Sequence, residues 1–383
     1  MLLALARHQR VCPDLEQEFA VCFQGRLSNE LAASGARVHQ LGQVRIRNPF
    51  SIFTARRRLR ELLNSDPFDA VICHMAWAQA IFGPAVRSAS ARLMLWHHDP
   101  NDGRNWLDRW AKFTPPDLAI CNSKFTAHKL GETYPQVRTE VLYCPVDLPG
   151  SRYSEGERTA VRAELNTPAD ATVIVQVGRM EAHKGHLLHL EALGRLRDLP
   201  GWVCWQVGAA QRPDEVRYVE ELKATAGRLG ILERVRFPGY WPDLLRLLNA
   251  ADIYCQPNIG PEGFGISIVE ALHARLPVVA MLLGPASELV NESCGILVPP
   301  GYVPGLADAL RRLINDPVMR RELGSAGPAR AAALSDPSRQ MQKLQGILSG
   351  ALRPAKQDTL RDARAASGLN PPLDSRRGSG AAT

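Results

Sequence analysis

No run in this 383-residue chain approaches the ~20 consecutive apolar residues of a membrane-spanning helix, so a transmembrane role is not expected. The opening MLLALARHQR lacks the basic start and small-residue cleavage site of a secretory signal. Paired cysteines are missing too. The eight cysteines, at 12, 22, 73, 121, 144, 204, 255 and 294, form no CxxC, and several sit in apolar runs. They read as unpaired buried thiols in a reducing cytoplasm. The ten histidines have no carboxylate or cysteine at metal-ligand spacing, so neither a metal nor a cofactor is expected. No nucleic-acid-reading motif accompanies the charge, which disfavours a nucleic-acid partner.

What remains is a globular composition, 45% hydrophobic and 22% charged, in a chain long enough for two cores. Net charge is +7 and the isoelectric point about 9.1. The runs RIR (45–47) and RRRLR (56–60) are basic. Such an excess favours phosphorylated substrates or peripheral contact with an anionic membrane. RRRLR alone also fits a solvated helix face.

Short apolar runs alternate with helical periodicity, the signature of parallel α/β layers. Strands are expected at Phe19–Phe23, Val38–Leu41, Ala70–His74, Leu93–His97, Leu118–Cys121 and Glu140–Tyr143, with helices such as Leu27–Ser34 and Ile52–Asn64 between them. A second series runs through Val173–Val177, Val203–Val207, Val235–Phe237, Ile253–Gln256, Val278–Met281 and Gly295–Val298. Between the series, CPVDLPGSRYSEGER (144–158) is rich in Pro, Gly and Ser and reads as linker. The expected organisation is an N-terminal domain over 1–147, a linker over 148–163, a C-terminal domain over 164–350 and a disordered tail over 351–383.

In open parallel sheets ligands bind beyond the carboxyl ends of strands, and two such ends stand out. After Ile253–Gln256 comes PEGFGISIVEAL (261–272), with Glu262 in a glycine-punctuated loop and Glu270 eight positions on. Ser267 and Glu270 fit a capping box, which would account for Glu270 alone. Glu262 beside bare helix-start donors suits a polyhydroxy ligand that carries negative charge. After Val173–Val177 comes GRMEAHKGH, where Arg179 and Lys184 bracket a helix start and could clamp a diphosphate.

In this order and spacing, these segments resemble the family-4 retaining glycosyltransferases of the GT-B fold, over residues 1 to about 347. GRMEAHKG is similar to the family's Arg/Lys segment and PEGFGISIVEAL to its E-x7-E element. VRFPGYWPDLLRLLNAADIYCQPN looks like the stretch leading into that element, and GILVPPGYVPGLADALRRLINDP like the one following it. The resemblance implies an α/β GT-B fold, two Rossmann-like domains facing each other across a cleft. It implies a metal-independent enzyme moving a sugar, with retention, from a nucleotide-sugar donor to a glycan or lipid-linked acceptor, in polysaccharide or glycolipid biosynthesis.

By the same resemblance Glu262 would bond donor-sugar hydroxyls and Glu270 the ribose. Backbone N–H groups of Gly263, Phe264, Gly265 and Ile266 would face the sugar and diphosphate, and Arg179 and Lys184 would neutralise the leaving group. In WHHDP, His98-Asp99 matches the family's cleft histidine. His74, Asn122 and Ser123 also close strands and could touch acceptor or be structural. One departure stands out: the family's first domain opens with a strand, a Gly-Gly turn and a helix, and MLLALARHQ looks like that helix already under way. The strands flanking the missing one are then expected to lack a partner, and transfer by the chain as written to be absent or very slow. Alternative readings are an inactive or truncated nucleotide-sugar binder, or another GT-B enzyme such as a nucleotide-sugar epimerase.

Overall fold

The computed structural model describes residues 1–89, 91–100, 103–148 and 153–352. Its first half runs α1 (Leu2–Arg7), β1 (Glu18–Val21), α2 (Arg26–Ala33), β2 (Arg37–Gln40), α3 (Pro49–Ser65), β3 (Ala70–His74) and α4 (Met75–Arg87). It continues with β4 (Arg92–His97), α5 (Trp106–Ala111), β5 (Leu118–Cys121), α6 (Lys124–Thr133) and β6 (Thr139–Val141). The second half opens with α7 (Glu155–Glu164), β7 (Thr172–Val177), α8 (His186–Gly194), β8 (Trp202–Val207), α9 (Pro213–Arg228) and β9 (Val235–Gly239). Next come α10 (Leu244–Asn249), β10 (Ile253–Gln256), α11 (Ile266–His273), β11 (Val278–Met281), α12 (Ala286–Leu289) and β12 (Gly295–Val298). The helices α13 (Val303–Asn315), α14 (Pro317–Ser335) and α15 (Pro337–Leu352) close it.

The second half builds one six-stranded parallel sheet in the order β12-β11-β10-β7-β8-β9. Helices cover both faces, so WVCWQV of β8 and IYCQ of β10 are buried along their whole length. Strand order reverses between β7 and β10, and a crevice opens at such a switch point beyond the carboxyl ends. GRMEAHKG follows one of these two strands and PEGFG the other.

The first half contains two parallel sheets, β3-β4-β5-β6 and β1-β2. Among the described residues β1 pairs only with β2, and β3 only with β4. One apolar layer joins Leu5 and Cys12 to Met94, Trp96, Leu118 and Ile120. Met341, Leu344 and Leu348 of α15 complete that layer, so the last helix returns to the N-terminal sheet.

Observed strands lie within two residues of those read from the sequence. The stretch assigned as linker differs. Ser154 and Glu157 make a capping box that starts α7, and this helix occupies most of 148–163. Two arginines fasten it to the C-terminal sheet. Arg158 Nη2 and Arg162 Nη2 donate to Asp252 at 2.6 and 2.7 Å, and the Val173 N–H donates to the same carboxylate at 2.7 Å. The polar tail expected over 351–383 lies outside the described residues beyond Leu352, which is still helical. All eight cysteines are unpaired and seven are buried. No helix among the described residues is long and apolar enough to cross a membrane.

Because Arg162 is buried, Asp252→Ala leaves its guanidinium without a counter-charge, held only by the carbonyls of Ala169, Ala171 and Ala250. The expected loss is about 3 kcal/mol, read as a lower urea midpoint at unchanged slope. A midpoint equal to wild type would show that the carbonyls of Asn249, Ala250 and Ala251, which Arg158 and Arg162 also reach, hold α7 without the carboxylate.

Candidate functional site

Gly185 turns the chain into α8 at a φ of 72°, and a Cβ there would collide with the carbonyl oxygen of Pro257. This glycine therefore brings the β7 loop against the β10 loop, and Lys184 is set beside Glu262, with which it forms an ion pair. Gln256, at the end of β10, donates to Glu262 Oε2 at 3.0 Å. Burial pushes the Glu262 carboxyl up, but Lys184, with hydrogen bonds from Asn258 and Gln256, outweighs it and holds Glu262 below the usual range. Lys184 is fixed in turn from below. Gln176 Nε2 donates to the Lys184 carbonyl at 2.9 Å, and Gln176 Oε1 lies 2.8 Å from Nδ1 of the fully buried His189. Arg179 pairs with Glu181 at 2.7 Å, and Arg212 reaches the same oxygen at 3.0 Å. Both candidate cations thus rest on carboxylates.

The loop enters α11 through Gly265, whose φ of 103° suits a residue without a side chain. Gly265 is the cap, and the Ser267 capping box is not formed. The left-handed turn starts the helix at Ile266, so Ser267 falls inside the first turn and donates to Gln256 Oε1 at 3.3 Å. Among the described residues, the N–H groups of Gly263, Phe264, Gly265 and Ile266 donate to no protein acceptor. The Phe264 side chain is buried and stacks on Tyr143 at 5.6 Å. Glu270 makes no side-chain hydrogen bond to a described residue. Burial raises its pKa to about 7, with the Met1 α-amino group pulling the other way.

The N-terminal half meets this loop directly. A Cβ on Gly263 would strike the carbonyl oxygen of His98, and Ser123 Oγ donates to the Gly263 carbonyl at 2.8 Å. Asn122 Nδ2 donates to the His98 carbonyl at 3.2 Å, while Ser123 also caps α6 through Thr126 N–H at 3.0 Å. Asn122 and Ser123 are both buried. Strand alternation separates the two histidines of WHHDP: His97 is buried, and His98 projects to the junction. His98 Nε2 lies 2.9 Å from His74 Nδ1, and the two rings stack with Trp96. Burial first, then its histidine neighbours and the Met1 α-amino group, lower the His98 pKa to about 3, and burial lowers that of His74 to about 4. Both are neutral at pH 7. Burial raises the Asp99 pKa, and Arg179 across the junction opposes it.

Several participants escape sequence reasoning. Glu288 of α12 accepts from the N–H groups of Lys124 and Phe125 at 2.8 and 2.9 Å, and from Tyr143 OH at 3.1 Å. A carboxylate from one half thereby caps a helix of the other. Gln176 and Gln256 had a signal, since a glutamine closing an apolar strand must find partners when buried. Glu288 had none. Basic RRRLR is only partly solvated, because Arg56 and Arg58 donate to the carbonyls of Ile81 and Leu41.

Comparison with known proteins fits this arrangement. The model for "Glycosyltransferase Family 4" matches residues 13–149 and that for "Glycosyl transferases group 1" residues 157–330. The chain belongs to the family-4 glycosyltransferases, with the GT-B fold. It is 34% identical to the lipopolysaccharide core biosynthesis glycosyltransferase LpsD of Rhizobium meliloti, over 43% of this chain and 46% of that one. It is 37% identical to the phosphatidyl-myo-inositol mannosyltransferase of Mycobacterium leprae, over 42% of each. The matched region thus spans less than half the length of either relative. In fold it is similar to Anabaena Alr3699/HepE in complex with UDP, with a TM-score of 0.79 at 24% identity, covering 91% of this chain and 95% of that one. It is similar also to a glycosyltransferase from Rickettsia africae, with a TM-score of 0.80 at 19% identity and coverages of 92% and 94%.

The raised Glu270 pKa has a sign that can be checked. The folded chain keeps a proton that the unfolded chain releases in the ordinary carboxylate range, so this group's contribution is full below that range. It is lost as pH climbs toward and through about 7. Glu270→Gln keeps the shape and removes the titration. The variant is expected to gain stability over wild type between pH 5 and 8, on the order of 2 kcal/mol, in ligand-free unfolding curves. Parallel pH–stability curves would contradict the raised pKa.

Proposed function

We propose that this protein is a retaining glycosyltransferase of the hexosyltransferase class, moving a sugar from a nucleotide-diphosphate-sugar to a glycan or lipid-linked acceptor. Polysaccharide or glycolipid biosynthesis at the inner face of the membrane is the setting that its basic excess suits. The observation that carries the reading is the convergence of Glu262, Lys184 and Arg179 at the switch point, with His98 and Asp99 facing them. In this reading the donor exchanges partners with the resting site. Its diphosphate takes Lys184 and Arg179 from Glu262 and Glu181, and its sugar hydroxyls donate to the freed Glu262. The unused N–H groups of 263–266 bind the phosphate and sugar oxygens, and Glu270 receives the ribose hydroxyls.

The anomeric C–O bond then breaks with its electron pair going to the diphosphate oxygen, stabilised by both cations. The acceptor hydroxyl bonds to the same face of the anomeric carbon, and its proton passes to that leaving oxygen. Stereochemistry is thereby retained. His98, neutral at pH 7, acts as a hydrogen-bonding group to the sugar and not as a cationic acid. No metal or cofactor enters this scheme.

The test is a panel of UDP-, GDP- and ADP-sugars, scored for binding and for transfer with and without acceptor. Turnover without acceptor that interconverts sugars would favour an epimerase instead, and binding with no turnover an inactive binder. For the donor that transfers, Glu262→Ala is expected to lower kcat/KM by roughly 10- to 1,000-fold. Affinity for the bare nucleoside diphosphate should hold or rise, because Lys184 is released. Glu270→Ala should weaken that affinity. Equal loss in both variants would overturn the division of roles.

Arg179→Ala and Lys184→Ala should each weaken the diphosphate far more than the unphosphorylated nucleoside. The double variant should lose less than the sum, since both screen one charge. Strict additivity would instead make them solvated loop cations.

A further inference from the structure

A helix that needs only a cap already has one at the start of α6. Ser123 and Thr126 form a capping box there: the Thr126 N–H donates to Ser123 Oγ at 3.0 Å and the Ser123 N–H to Thr126 Oγ1 at 3.1 Å. The box leaves over the N–H groups of Lys124 and Phe125. Lys124 is exposed and Phe125 partly so, and water satisfies such donors at little cost. They go instead to Glu288 of the other half, 164 and 163 residues on, at 2.8 and 2.9 Å. What the carboxylate adds is therefore a tie between the halves, made with charge at the positive end of a helix.

The backbone that carries Glu288 is held in turn. Arg330 of α14 donates from Nη2 to the Glu288 carbonyl at 2.5 Å and from Nε to the Leu289 carbonyl at 3.0 Å. Just before α12, Gly284 takes a φ of 60°, and a Cβ on it would stand 3.3 Å from the backbone N and carbonyl oxygen of Glu262. Glu288 and the loop of Glu262 thus belong to one packed unit.

A third donor to the same carboxylate is Tyr143 OH, at 3.1 Å. Tyr143 stands two residues past β6, where the chain leaves the N-terminal sheet. Burial, then the Glu288 charge, raise its pKa to about 12, so the hydroxyl keeps the proton it donates. Its ring stacks on Phe264 at 5.6 Å, with Lys343 Nζ 6.0 Å over it. One side chain therefore gathers the exit from β6, which touches Phe264, and the start of α6, where Ser123 bonds the Gly263 carbonyl at 2.8 Å. Arg26 and Tyr240 also join the halves, but at 3.4 Å and from an exposed arginine.

We infer that Glu288 is a positioning residue: it fixes the N-terminal half against the Gly263-Phe264 turn, so that a sugar held by that turn is presented to His98. The inference rests on the glycosyltransferase reading and adds to it the residue that keeps both halves on the donor. In that reading a bare nucleoside diphosphate is held by the C-terminal half alone, whereas the sugar is met from both. Loss of Glu288 should separate the two ligands.

The probes are the nucleotide-sugar of the UDP, GDP and ADP panel that wild type binds most tightly, and its bare nucleoside diphosphate. Both are titrated calorimetrically against the full chain. Glu288→Gln keeps the size, but its amide oxygen can serve only part of the donor set while its NH2 faces the rest. It is expected to bind the diphosphate within about 3-fold of wild type, and the ratio of nucleotide-sugar to diphosphate affinity should fall roughly 10-fold. Transfer per folded molecule should drop roughly 10- to 100-fold in kcat. Tyr143→Phe, which removes one donor of the three, should lower the same ratio about 3-fold, and it carries the test if Glu288→Gln does not fold.

An unchanged ratio and kcat, with only the unfolding midpoint lowered, would make Glu288 a helix cap and overturn the inference. Equal weakening of both ligands would also overturn it, by placing the effect inside the C-terminal half. Wild type that binds nucleotide-sugar without transferring it would strike the enzyme reading, and the affinity ratio would still decide the role of Glu288. Wild type that binds no nucleotide would strike the donor reading and this inference with it.

Discussion

The halves of this protein meet where a backbone carbonyl lies against a residue with no side chain. Gly263 gives the His98 carbonyl the space a methyl group would fill, and the neighbouring contacts follow from that approach. Ser123 reaches the Gly263 carbonyl, Asp99 comes under the influence of Arg179, and Glu288 reaches the bare N–H groups that start α6. A larger residue would part the loops by about the radius of the group added, and hydrogen bonds of this kind do not survive such a shift. Glu262, one residue earlier on the same loop, would move with it.

Burial then decides what each ionisable group can do. His74 and His98 share a 2.9 Å contact that two imidazolium ions could not tolerate, and desolvation keeps both neutral. Glu262 and Glu270 carry the same side chain eight residues apart and end with opposite pKa shifts. The first has a lysine and two amide donors, whereas the second has no side-chain hydrogen bond within the described residues. Their difference arises from the loop-to-helix geometry of one short segment.

Much of this was legible in the sequence, and the reasons are specific. Buried parallel strands must be nearly all apolar, so Ile253–Gln256, Val278–Met281 and Gly295–Val298 appear in the structure with the bounds read from composition. The switch-point loops were marked by glycine, lysine and glutamate in places where packing alone asks for none of them. Helix α7 was hidden by Pro, Gly and Ser around it, although its Ser154–Glu157 capping signal was present. The Ser267 reading failed for a related reason: a serine three residues before a glutamate carries no information about the left-handed turn that Gly265 makes first. Glu288 was illegible altogether, because its partners, two backbone N–H groups and the Tyr143 hydroxyl, all lie more than 140 residues away in the chain.

The pairing of Lys184 with Glu262 and of Arg179 with Glu181 bears on which anions can enter. An open cationic pocket would draw in any phosphate that diffuses past, and its capture rate would fall steeply with ionic strength. Here each positive charge already faces a negative one, so little field reaches into solution. An inorganic phosphate would have to displace a carboxylate without offering it a replacement. A ligand bringing anionic oxygens for the cations and hydroxyls for Glu262 can make both exchanges together. Under the proposed function, selection at this site would come from swapping partners at short range, and entry would be nearly indifferent to salt.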